Sequence, residues 1–323
     1  MIGTPILLLG FNRPDRLAAL IESLRASQPP TVYVSIDGPR DSVESDREGV
    51  QQTRDLVSSI DWTSDVHTAF HEKNLGIALA IPTAVSWVLG EHESVIVVED
   101  DVIVGPQFLP FADEALRIWA DDEAVFSISG YNLVPSAHLA RPNAPVRLSR
   151  IPHSYAWATW RRAWSAFDNE MQWARSVSTA ELTSLLGSRI FALRWRQNFR
   201  HAQKQRVSTW DYQWVSSIWQ HNGMCVSPNR NLVTYNGHSG GSHTRRRSAW
   251  AELPIAPIEL DQLRKHADTI EFDRGADDFL QRTAQRATAF NVALGPFEAV
   301  AMEGLKQRSA LRRRSDRNRR AHK

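Results

Sequence analysis

The chain has 323 residues, 42% hydrophobic and 23% charged, an ordinary balance for a soluble globular protein with core enough for one large α/β domain or two small ones. Its single cysteine, Cys225, excludes an internal disulfide and fits a reducing compartment. No apolar run approaches the roughly 20 residues of a membrane helix, and residues 5–11 lack the basic lead and cleavage site of a signal peptide, so a cytoplasmic location is expected. The 38 basic and 36 acidic residues give +2, but nine Lys or Arg against Asp316 alone put +8 into residues 306–323, which leaves −6 elsewhere. Such a run reads first as a solvated, disordered tail. Its alternatives are a peripheral contact with anionic lipid at the inner membrane face, or nucleic acid, for which no module signature is present.

In chain order, residues 6–9 are an apolar run that ends at Gly10 and Asn12-Arg13-Pro14. Pro14 suits a first helical turn, and Leu17, Leu20, Ile21 and Leu24 follow with helical spacing. Residues 32–36 are β-rich and stop at Asp37-Gly38-Pro39. A polar surface helix over 43–60, a strand over 65–70 and a helix over 77–89 follow, the last carrying Pro82 within its first two turns. Residues 94–98 read as a buried strand, 106–120 as an amphipathic helix and 124–129 as a closing strand. Apolar strands alternating with helices predict a mostly parallel central sheet covered on both faces, a Rossmann-like layout with ligands beyond the carboxyl ends of the strands. After residue 150 tryptophan becomes dense. One long helix is expected over 179–204 and another over 210–220, with strands at 224–226 and 232–235, a Gly/Ser loop at 238–242 and surface helix from 255.

The sharpest local feature is Glu99-Asp100-Asp101 directly after Val95-Ile96-Val97-Val98. Adjacent carboxylates at the mouth of a buried strand repel one another, so a positive partner is expected. Mg²⁺ or Mn²⁺ suits them, since hard cations take one or two carboxylates and fill the rest with phosphate and water. The bland alternative is an exposed acidic turn. Strand, acidic triplet and a helix opened by Gly105-Pro106-Gln107-Phe108 resemble the metal-binding segment of GT-A glycosyltransferases, closest to the inverting N-acetylglucosaminyltransferase I type and related bacterial family 2-like sugar transferases. The resemblance spans residues 4–245 and weakens after 150. It implies a GT-A fold, a nucleotide-sugar donor (a UDP-sugar first), Asp101 as metal ligand, and Glu99 and Asp100 as donor contacts.

Three further stretches fit that donor half. Asn12 and Arg13 follow the first strand, Asp37 ends the second, and Glu72-Lys73-Asn74-Leu75-Gly76 resembles the family's Asn-x-Gly segment beside base and diphosphate. In the bland reading Arg13 is surface, Asp37 makes a turn with Gly38, and Asn74 caps the next helix. An inverting transfer also needs a carboxylate base at the acceptor hydroxyl. By resemblance that is Asp211, with Asp168 and Glu170 behind it, although Ser208 and Asp211 also have capping-box spacing. His243, late in the chain, resembles the family's further metal ligand, ahead of His238, and Arg245, Arg246 and Arg247 suit a diphosphate. Tyr155 and Trp157 are the aromatics expected to meet ligand, while Trp160 and Trp164 suit a buried helical face.

The resulting organisation is a donor half over 1–130, an acceptor and catalytic half of the same domain over 131–250, a helical segment over 251–305 and the basic tail over 306–323. The expected activity is metal-dependent transfer of a sugar to a hydroxyl of a glycan or glycolipid acceptor, with inversion by direct displacement, in surface polysaccharide or glycolipid assembly. A retaining transferase and a non-catalytic carbohydrate- or nucleotide-binding protein on the same scaffold are the alternatives. A sugar-1-phosphate nucleotidyltransferase would carry a Gly-rich basic loop after the first strand, which Gly10-Phe11-Asn12-Arg13-Pro14 lacks.

Overall fold

The computed structural model describes residues 2–205, 207–236 and 253–295. His238, His243, Arg245, Arg246, Arg247 and the basic run over 306–323 lie outside them. In chain order the elements are β1 (Ile6–Gly10), α1 (Pro14–Leu24), β2 (Thr31–Ile36), α2 (Ser45–Asp55), β3 (Asp65–Phe70), α3 (Ile77–Glu91), β4 (Ser94–Glu99), β5 (Val102–Val104), α4 (Phe108–Ile118) and β6 (Val125–Ser129). The second half adds β7 (Val146–Ser149), β8 (Ala156–Trp160), α5 (Arg161–Trp164), α6 (Gln172–Ser176), α7 (Thr179–Leu186), α8 (Arg189–Gln203) and α9 (Asp211–Gln220). It closes with β9 (Met224–Pro228), β10 (Val233–Tyr235), α10 (Leu260–His266) and α11 (Arg274–Thr283).

The main sheet has the order β3-β2-β1-β4-β8-β6-β9-β7. Its first four strands pair in parallel, as does β6 with β9, while β8 runs antiparallel to both β4 and β6 and β7 antiparallel to β9. The chain steps outward from β1 to β3 and then crosses back to β4, so right-handed crossovers put α1 and α2 on one face and α3 on the other. That reversal between β1 and β4 opens a crevice at their carboxyl ends, where open α/β sheets bind ligands. Ile6, Leu7, Leu8, Ile96, Val97 and Val98 are wholly buried there, as a strand covered on both faces requires.

Two sequence expectations are corrected. The helix expected over 179–204 is two: α7 opens with a capping box at Ser178 and Glu181 and ends at Gly187, whose φ of +72° lies in the left-handed region that favours glycine. Residues 156–160, part of the stretch read for a helical tryptophan face, are a fully buried strand inserted between β4 and β6. A strand buried on both faces shows no polar–apolar alternation, so such a run has no period to betray it. Residues 271–273 shield the β7 edge through Leu148 N to Glu271 O at 2.9 Å and Asp273 N to Leu148 O at 3.1 Å, so the segment after 253 finishes the sheet.

Candidate active site

A cleft of about 310 Å³ lies at the carboxyl ends of β1, β2 and β4, within the usual range of ligand pockets. Glu99, Asp100 and Asp101 form its floor. Burial drives all three carboxyl groups up: Glu99 well above the usual range, with the charges of Asp101, Asp100 and Asp211 adding to the effect, and Asp100 to about 7 with Asp101 adding. Asp101 is raised by burial too, against the pull of Arg13 and Arg16. Those two arginines of the α1 end face the triplet at long range, Arg13 at 3.6 Å from Asp100 and 3.5 Å from Asp101, Arg16 at 3.9 Å from Asp101. Contacts of that length leave much of the carboxylate charge uncompensated in a low-dielectric setting.

Asp37 sits beside the triplet in the same cleft and is 8% exposed. Its Oδ1 accepts from Gly38 N at 2.8 Å and Leu75 N at 2.8 Å, and its Oδ2 accepts from Asn74 Nδ2 at 2.8 Å and Gly76 N at 3.0 Å. The carboxylate at the end of β2 therefore holds the entry to α3, where the helix makes no side-chain cap of its own. Asn74 turns toward Asp37 and the Gly38 carbonyl instead of capping. A Cβ on Gly38 would meet the Lys73 backbone at 2.4 Å, so only glycine lets the 71–73 backbone pass this close. Lys73 itself is exposed and does not line the cleft.

Asn12 also points elsewhere: its Nδ2 donates to Asp46 Oδ1 at 2.7 Å. Asp46, 1% exposed, grips Arg40 by two bonds, from Nε at 2.5 Å and Nη2 at 2.9 Å. The guanidinium and Asn12 hold the Asp46 carboxyl below its usual range. Arg40 lines the cleft with its guanidinium 5.4 Å over the Phe11 ring. Asn12 thus acts two steps back from the cleft, through Asp46 and Arg40.

Asp211, the first residue of α9, is brought to the triplet by its neighbour. The Trp210 side chain hydrogen-bonds Glu99, and its ring stacks 5.2 Å from Trp157. Asp211 lies near enough for its charge to raise Glu99. Thr209 Oγ1 and Tyr212 N donate to Asp211 Oδ1. The N-cap position belongs to Trp210 and Ser208 does not cap the helix, so the capping box does not form. Asp168 instead ties down the 168–172 turn, accepting from Glu170 N and Gln172 N, while Glu170 pairs with Arg175 at 3.0 Å on the surface.

Of the two aromatics expected at the ligand, Tyr155 lines the cleft. Trp157 is 1% exposed and packed among Trp164, Trp210 and Trp214; it is core, because β8 is covered on both faces. Sequence reasoning missed Arg16, Arg40 and Tyr235. Tyr235 lines the cleft, hydrogen-bonds Asp101 and lies 4.7 Å from the Tyr155 ring. Arg16 had a signal, three residues after Arg13 and on the same helical face. Arg40 and Tyr235 reach the cleft only through the turn after β2 and the β5–β10 pairing.

Among the described residues no three His, Cys, Asp or Glu side chains are arranged to hold a metal ion by themselves. Asp101 Oδ1 is nevertheless buried with no hydrogen-bond partner, and the floor is short of positive charge. Both observations suit a cation that takes one carboxylate oxygen here and completes its shell with phosphate and water.

No family model matches the chain. Solved structures that overlap it include UDP-glucose pyrophosphorylase complexed with UDP-glucose, at 9% identity over 51% of this chain and 79% of that one with a TM-score of 0.28. Another is the apo form of mouse xyloside xylosyltransferase 1, at 11% identity over 67% of this chain and 81% of that one with a TM-score of 0.33. Likeness of this degree carries no argument about activity, which rests on the cleft alone.

Proposed function

We propose that the chain is a glycosyltransferase that moves a sugar from a nucleoside-diphosphate sugar, a UDP-sugar first among them, to an acceptor hydroxyl with inversion. The observation that carries this reading is a cleft at the crevice between β1 and β4 lined by Glu99, Asp100, Asp101, Arg13 and Arg40, with Arg16 behind Asp101 and Asp211, from a distant segment, near enough for its charge to act on Glu99. Carboxylates and guanidinium groups in one cleft suit a ligand that carries both phosphate and hydroxyl groups.

Arg13 and Arg40 bind and orient the diphosphate, Arg16 supports Asp101 from behind, Tyr155 covers an apolar face of the donor, and Glu99 and Asp100 accept hydrogen bonds from its hydroxyls. Asp101, with His243 as the further candidate, would hold Mn²⁺ or Mg²⁺, which when bound offsets negative charge on the diphosphate. Asp211 takes the proton of the acceptor hydroxyl as its oxygen bonds to the anomeric carbon. The anomeric carbon–phosphate oxygen bond breaks, and its electron pair leaves with the nucleoside diphosphate.

The test is nucleoside diphosphate release from UDP-, GDP- and dTDP-sugars with Mn²⁺, Mg²⁺ or EDTA, beside Asp101→Ala and Asp211→Asn and with donor binding measured calorimetrically. One donor turned over only with metal, and lost in both variants, is the expected result. Binding without turnover under every condition would favour the non-catalytic reading, and no binding at all would overturn the site.

A further inference from the structure

A second surface, remote in sequence from the cleft, has its own chemistry. Helix α8 carries Arg189, Arg194, Arg196 and Arg200 and no acid. Residues 279–295 carry Arg282, which pairs with Asp278 at 3.7 Å, and Arg286. The two stretches pack on one another: Gln197 Nε2 donates to Val292 O at 2.8 Å, Arg194 Nε donates to Gln285 O at 3.1 Å, and the Arg282 guanidinium lies 6.0 Å over the Phe191 ring. Arg189, Arg200, Arg282 and Arg286 are exposed. So are Phe290, at 72%, and Leu294, at 37%. These two stand four residues apart on the helical stretch 289–295, which puts them on one face.

An exposed phenylalanine and leucine on one face of a stretch that packs against the arginine-bearing α8 make an amphipathic surface of the kind that lies on a membrane interface. We propose that this face rests on an anionic lipid surface, with Phe290 and Leu294 entering the headgroup–acyl boundary and the arginines pairing with lipid phosphates. Charge favours that occupant over a second copy of the chain, since two such faces would repel. The basic character continues further along the sequence, where residues 306–323 add nine Lys or Arg and one acid. A short apolar insertion and a polybasic stretch are the two signals that together give stable but reversible membrane attachment. The apolar pair is what separates this reading from a purely electrostatic tail.

The test is co-sedimentation of the full chain with phosphatidylglycerol-containing vesicles and with pure phosphatidylcholine vesicles, for the parent and for Phe290→Ser/Leu294→Ser. The expected result is binding to the anionic vesicles only, weakened about tenfold or more in the double variant and weakened also by added salt. The variant should keep its thermal melt and its nucleotide binding, since neither side chain is buried and neither lines the cleft. Absence of sedimentation with anionic vesicles, or equal sedimentation of the double variant, would overturn the proposal. A gel shift of a single-stranded RNA oligonucleotide in place of vesicle binding would assign the face to nucleic acid and overturn it likewise. Concentration-dependent self-association abolished by the double variant, with no vesicle binding, would overturn it too and mark the face as an interface between copies.

Discussion

Replacing Asp37 by alanine separates two roles that this residue can play, anchor of the α3 entry and direct contact to a nucleotide. The carboxylate accepts three bonds from residues 74–76, from Asn74 Nδ2, Leu75 N and Gly76 N. It sits where the positive end of α3 would otherwise lack a cap. A hydrogen bond to a charged acceptor is worth about 1.5–3 kcal/mol net, and roughly 1 where water can replace it. Residues 74 and 76 are half-buried and 75 is exposed, so the lower figure applies and the loss should total about 3 kcal/mol. Asp37→Asn keeps one acceptor oxygen but turns an NH₂ toward other donors, and should lose about 2 kcal/mol. The assay is urea unfolding followed by circular dichroism, with nucleoside diphosphate binding measured on the same preparations. Stability falling together with binding is expected. A loss of stability under about 0.5 kcal/mol with binding abolished would refute the anchor and make Asp37 a direct contact.

Asp46→Ala releases Arg40 from a distance; substrate KM should rise about tenfold with kcat nearly unchanged, as loss of one oriented guanidinium predicts. Asp211→Asn should keep donor binding in calorimetry while turnover falls by about 10² or more, the scale of a lost general base. Trp157→Ala should cost about 3–5 kcal/mol in urea unfolding, whereas Trp157→Phe should keep turnover because the ring packs in the core and meets no ligand. Burial, helped by the Arg147 charge, lowers the His153 imidazolium to about 3. As pH falls below about 6.5 the unfolded chain therefore takes the proton first, and stability present above that pH is lost progressively toward pH 3, by up to ~5 kcal/mol. His153→Gln should flatten the stability–pH curve in that window, and an unchanged curve would show that the imidazole is hydrated.

Much of the fold was legible because buried parallel strands announce themselves. The runs before Gly10, Asp37 and Glu99 became β1, β2 and β4 in neighbouring positions, and the acidic triplet fell at a strand mouth as its apolar lead required. The tryptophan-rich half was harder. Trp160 and Trp164 suit a helical face by spacing, yet 160 lies on β8 and 164 on α5, and Trp157, expected at the ligand, lies on β8 in the core. Single-chain spacing cannot distinguish a strand covered on both faces from a helix in the core.

What the sequence determined by itself was local: where strands stop, which residues carry charge, and that three carboxylates share one strand end. These follow from hydrophobic period and turn chemistry, which act over a few residues. What only the tertiary structure decided was partnership. Asn12 turned from a presumed ligand contact into the support of Asp46 and Arg40, Tyr235 arrived at Asp101 through a strand pairing, and Trp210 drew Asp211 to Glu99 across more than a hundred residues. Such meetings depend on long-range packing and on the need to satisfy each buried polar group, and neither leaves a periodic trace along the chain.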